Sequence, residues 1–123
     1  MFRKVLILTA IVLVFSASEV QADVIHSTWV GGEEGRWRDA SNWSPYGVPD
    51  NSSWRTFAVT IDSNSIGVDE IEVRLQQSWT IDQLDCYGKV ELERWTRDWI
   101  ELTLTDANGL MNYGSLGVCP SNS

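Results

Sequence analysis

Thr28-Trp29-Val30-Gly31-Gly32, followed by Trp37, Ala40, Asn42-Trp43-Ser44-Pro45 and Gly47-Val48-Pro49, is the stretch that decides the fold. Three tryptophans are spaced through glycine, proline and asparagine. Gly and Pro interrupt both helices and strands, and Asn favours turns. The stretch holds few other apolar residues, so its indoles must bury one another. It reads as a compact aromatic cap held by turns, with a structural role for Trp29, Gly31, Gly32, Trp37, Asn42, Trp43, Pro45 and Pro49.

Beyond the cap the pattern is β. Phe57, Val59 and Ile61 alternate with Ala58 and Thr60, and Ile71, Val73 and Leu75 alternate with Glu70, Glu72 and Arg74. Trp79 and Ile81, Val90 and Leu92, then Ile100, Leu102 and Leu104 continue the same period. Alternation with period 2 marks a strand with one buried face and one wet face. No segment carries a convincing helical period. Connections such as Gln76-Gln77 are too short for a β-α-β crossover, which needs about a dozen residues. An antiparallel β-sandwich and a parallel β-helix both remain open on this pattern. Asn108-Gly109 is a strong hairpin signal and favours the first. An internal echo favours the second: Trp79-Thr-Ile-Asp-Gln-Leu then Gly88-Lys-Val-Glu-Leu recurs as Ile100-Glu-Leu-Thr-Leu then Gly109-Leu-Met-Asn-Tyr-Gly-Ser-Leu, 21 residues on.

The cap motif, together with L-x-L-x-x-x-x-G-L-x-N-x-G-x-L at Leu102–Leu116, resembles the cap and coils of secreted bacterial β-helical surface proteins, the autotransporter-associated, passenger-like class with pectin-lyase-like architecture. The resemblance covers residues 28–49 and roughly 79–118 and tips the choice. It implies an all-β fold, a right-handed parallel β-helix fragment with a Trp-rich N-terminal cap; the small antiparallel β-sandwich is the alternative. Members of that class run for many coils, and Cys119-Pro120-Ser121-Asn122-Ser123 shows no closing segment, so the chain reads as the N-terminal part of a longer protein.

Arg3 and Lys4, the apolar run Val5–Phe15 and the small-x-small site Val20-Gln21-Ala22 together read as a signal peptide over residues 1–22. The remaining organisation is a cap over 23–56, β-strand coils over 57–118 and a tail over 119–123. Without Arg3, Lys4 and Glu19 the exported part keeps 7 basic and 16 acidic residues, a net charge of −9 over 101 residues. That balance excludes a nucleic-acid partner, which needs basic patches, and no membrane span remains after signal cleavage. Cys86 and Cys119 are the only cysteines, and in an exported chain they form a candidate disulfide.

Nothing in the sequence points to a catalytic residue, a metal site or a cofactor. His26 is the lone histidine and falls in a start expected to be flexible. Glu70 and Glu72, or Glu91 and Glu93, would sit about 6–7 Å apart on one strand face, within glycosidase range, as any wet strand face also provides. Asp62, Asn64 and Gly67 match the first positions of a Ca²⁺ loop, but Ile66 and Val73 stand where ligands are needed. Trp95 and Trp99, with Arg94 and Arg97, lie in a charged loop and are the candidate contact for a glycan or a partner protein. The expectation is therefore an exported structural or adhesive scaffold, not an enzyme, meeting an extracellular polysaccharide or a surface protein. A carbohydrate-binding module and a fragment of a β-helical polysaccharide lyase or hydrolase are the alternatives.

Overall fold

The computed structural model describes residues 23–119. The signal peptide expected over 1–22 and the residues after Cys119 lie outside them. The described chain is all-β, with one single-turn 3₁₀ segment at Ala40–Asn42. Its strands are β1 (Asp23–Trp29), β2 (Glu34–Arg36), β3 (Trp43–Ser44), β4 (Arg55–Asp62), β5 (Glu70–Leu75), β6 (Trp79–Ile81), β7 (Gln83–Arg94), β8 (Leu102–Leu104) and β9 (Leu110–Cys119). Among the described residues no helix is long and apolar enough to cross a membrane.

The strands form a curled mixed sheet of seven and a separate pair, β6 with β8. Only β1 and β3 pair antiparallel; every other ladder is parallel. Strand β7 is the keystone. Its first half pairs with β4, its second half with β5, and its other edge with β9 along nearly its whole length. The two halves meet at Gly88, whose φ is +73° and where a Cβ would overlap Ser63 Oγ. Only glycine fits there without strain. The loop between β4 and β5 packs against this bend, with Ser63 N–H donating to the Tyr87 carbonyl at 3.0 Å and Lys89 N–H donating to Ser63 Oγ at 3.1 Å.

Parallel register stacks like upon like. Val59 faces Leu84, which faces Leu110; Ile71 faces Val90, which faces Leu116; Trp79 faces Leu102 and Ile81 faces Leu104. Val59, Ile71, Trp79, Ile81, Leu84 and Val90 belong to the buried core with Val73, Leu75, Leu92 and Cys86, while Leu102, Leu104 and Leu116 pack against it partly covered. Polar rungs also repeat. The Asp82 carboxylate accepts from Asn51 Nδ2 at 2.9 Å and from the Thr105 hydroxyl, while its backbone N–H donates to the Phe57 carbonyl. Burial pushes the Asp82 carboxyl up, but hydrogen bonds from Thr105, Thr56 and Asn51 outweigh it and hold the group below its usual value.

Several sequence expectations need correction. Asn108-Gly109 makes no hairpin: the chain enters β9 parallel to β7, and among the described residues no non-glycine residue has a positive φ. Gly109 is required instead by close approach, since a Cβ would meet the Asp82 carbonyl at 2.8 Å. The 21-residue echo is right in kind and wrong in register, because Trp79 pairs with Leu102 and Gly88 with Gly114. Residues 23–29 are not a flexible start: they form β1, in parallel register with β4, and His26 sits exposed opposite Ala58. The Cys86–Cys119 bridge is not formed. Cys86 is a free, buried thiol opposite Asn112, whereas Cys119 lies opposite Glu93, well along the strand. At about 3.3 Å of rise per residue the two positions are some 20 Å apart, far beyond disulfide reach.

Candidate binding site

The two ends of the strand stack are chemically unlike. At the N-terminal end Trp29, Trp37 and Trp43 are buried, and they pack edge to face: 5.2 Å between the Trp29 and Trp43 centroids and 4.8 Å between Trp37 and Trp43. Each indole N–H is used. Trp29 donates to the Gly32 carbonyl at 2.9 Å, Trp37 to that of Pro49 at 3.0 Å, and Trp43 to that of Trp37 at 2.8 Å. Asn42 Nδ2 ties the segment to the Arg36 carbonyl at 2.9 Å. Gly31 lies so close that a Cβ would meet Asn42 and Trp29 at 2.7 Å, and Gly32 has φ +79°. Pro49 is buried, while Pro45 is exposed and follows a cis peptide bond. Trp37 also stacks on Trp79, linking the cap to the core.

The other end is open. A cavity of about 570 Å³ lies there, lined chiefly by leucines: Leu75, Leu84, Leu92, Leu102, Leu104, Leu110 and Leu116, with Ile100. The rows described above lose cover toward it. Leu84 is 1% exposed and its stacked neighbour Leu110 is 49% exposed. Arg94 and Trp99 complete the lining, with Trp99 83% exposed. Beside the cavity β9 offers Leu110, Met111 and Tyr113 to solvent, and Tyr113 stacks on Tyr87 at 4.8 Å with 10° between the planes.

The residues singled out from the charged loop are thus divided. Trp95 is tied down: its backbone N–H donates to the Leu75 carbonyl at 2.8 Å, and the Arg74 guanidinium lies 4.5 Å over its ring. The cation on Trp95 is therefore Arg74, not Arg94 or Arg97. Arg97 is exposed in the loop. Trp95 and Trp99 form no ring pair among the described residues, so the flat two-indole platform expected of a sugar site is not made. Trp99 and Arg94 belong to the rim of the apolar cavity instead. The cavity was not read from the sequence. Its signal was the recurrence of leucine at 102, 104, 110 and 116 on one strand face.

A second, acidic surface runs along the outer face. Glu34, Glu72 and Glu91 occupy facing positions on β2, β5 and β7, and with Glu33 and Glu70 they line a shallow cleft. Arg74 offsets part of the charge through Glu34 at 2.9 Å, and Lys89 through Glu70 at 3.1 Å. A hydrogen bond with Glu93, burial and the Glu93 charge push the Glu72 carboxyl up to about 7. Among the described residues no group of three His, Cys, Asp or Glu side chains is arranged to hold a metal ion. In the Asp62 loop the carboxylate is spent on the backbone, accepting from Asn64 N–H at 2.9 Å and Ser65 N–H at 3.2 Å. Comparison with family models, with curated proteins and with solved structures gives no match.

Proposed function

We propose that this chain is an exported structural or adhesive scaffold, built as a right-handed parallel β-helix, sealed by its tryptophan cap and offering the leucine-lined end as an assembly surface. The observation that carries the reading is the unbroken inward stacking of Val59, Leu84 and Leu110, of Ile71, Val90 and Leu116, and of Trp79 and Leu102 in parallel register. Successive parallel strands joined by short arcs wind in one direction, and right-handed connection is the near-universal choice. A stack of this kind buries its core only against neighbouring units, so an end without a cap is a place for another polypeptide. The acidic outer face keeps the scaffold soluble and repels anionic surfaces.

A second reading, glycan contact, rests on the exposure of Trp99 and the half-exposed Trp95. One fluorescence experiment separates the two. Of seven tryptophans, Trp29, Trp37, Trp43 and Trp79 are buried and Trp54, Trp95 and Trp99 are not. The scaffold reading predicts a blue-shifted fraction that iodide does not quench and an exposed fraction that no polysaccharide protects. Protection of the exposed fraction by one polysaccharide, lost in Trp99→Ala, would replace the scaffold reading with the glycan one.

A further inference from the structure

We propose that the leucine-lined cavity binds one fatty carboxylate, with its acyl chain among the leucines and its head group on Arg94. The inference goes beyond the scaffold reading, because it concerns a small molecule held within a single copy of the chain.

The chemistry of the cavity is nearly uniform. Its lining comes from four strands, β5, β7, β8 and β9, and from the loop that precedes β8. Seven leucines and Ile100 make the walls, and only Arg94 and Trp99 bring polar side-chain atoms. A sugar, a nucleotide or an extended peptide laid there would leave its own polar groups without partners, which is costly away from water. An acyl chain has no such groups. The volume of about 570 Å³ falls among those of small-molecule sites.

Arg94 selects the head group. Strand β7 buries Val90 and Leu92 and turns Glu91 and Glu93 to its other face, so Arg94 falls on the buried face, opposite Leu75. A cation among leucines needs a counter-charge, because its removal from water is otherwise uncompensated. Arg94 has none. Its Nε is buried and makes no hydrogen bond, and among the described residues no carboxylate forms an ion pair with it. The guanidinium fork matches the two oxygens of a carboxylate. One cation in an otherwise apolar cavity complements an apolar ligand with one anionic end.

The test is isothermal titration calorimetry of the exported chain with decanoate, decanol and decyl phosphate, each below its micelle or solubility limit. We expect one decanoate per chain, bound about ten-fold tighter than decanol, because the alcohol forfeits a charged hydrogen-bonded pair. Arg94→Met should weaken decanoate about ten-fold and leave decanol unchanged. Leu110→Trp puts a larger side chain at a half-exposed lining position and should weaken both ligands by filling the space. In nuclear magnetic resonance spectra decanoate should shift the methyl groups of Leu84 and Leu92, the buried part of the lining. Absence of saturable decanoate binding overturns the inference. So does decanoate that binds no tighter than decanol, or an Arg94→Met chain that binds it as the parent does. Decyl phosphate that binds tighter than decanoate overturns the choice of head group. Several decanoates per chain, with the Leu84 and Leu92 methyl groups unmoved, contradict the site itself. The comparison of decanoate with decanol needs only the parent protein, so it decides even where a variant fails to fold.

Discussion

The tryptophan end and the leucine end of this molecule solve the same problem in opposite ways. Both terminate stacks of parallel strands, and both have apolar side chains to hide. At the first, Trp29, Trp37 and Trp43 fill the space, and each indole N–H finds a carbonyl. At the second, Leu102, Leu104 and Leu116 are only partly covered and Leu110 is half in water. On the proposed reading, stability and association fall to different ends: one seals the core, and the other leaves apolar surface for a partner.

The contrast is tested most severely at Trp43. Trp43→Ala removes the ring that touches both other cap indoles and should cost about 3–5 kcal/mol, enough to unfold much of a small domain. Urea denaturation followed by circular dichroism measures it; a loss below about 1 kcal/mol would mean that the cap seals nothing. Gly88→Ala comes next. It forces a side chain into positive φ and into Ser63, and a cost of about 2 kcal/mol is expected from the same titration. Leu104→Ala, at the open end, removes a half-covered side chain and should cost only about 1 kcal/mol, below the range for buried leucines. Equal losses for Trp43→Ala and Leu104→Ala would erase the distinction between the ends.

The smallest effect is a pH dependence on the acidic face. The folded chain holds the Glu72 carboxyl at about 7 against an ordinary 4.5, so folding favours its protonated form. Its contribution is fully present below about 4.5 and is lost as pH rises through about 7. Subtracting the stability–pH curve of Glu72→Gln from that of the parent should isolate a fall across this window. A flat difference would show that Glu93 and Glu72 do not share a proton.

The all-β class was legible because strands such as 71–75 and 90–93 alternate strictly, one face wet and one dry. The buried tryptophans were legible because Trp29–Pro49 offers them little else to pack against. Three features escaped. The strand character of 110–115 was hidden because Asn112, Gly114 and Ser115 are poor strand formers alone and are held by pairing with β7. Residues 83–88 escaped because glycine interrupts a strand pattern, whereas Gly88 bends one continuous strand between two partners. The open cavity escaped because no local pattern reveals which inward leucines lack a neighbour on their far side; only the stacking order does. Trp95 and Trp99 looked equivalent for the same reason, until tertiary structure put Arg74 over one and left the other at the rim.

Hydrogen exchange by nuclear magnetic resonance on dilute, monomeric protein tests the closed and open ends together. The indole N–H groups of Trp29, Trp37 and Trp43 should exchange slowly, near the rate set by global unfolding, while those of Trp54 and Trp99 exchange at once. Along β9, amides directed at β7 should be protected and the alternate ones should not. Cap indoles that exchange as fast as Trp99, or a β9 protected on both edges, would contradict a stack sealed at one end and open at the other.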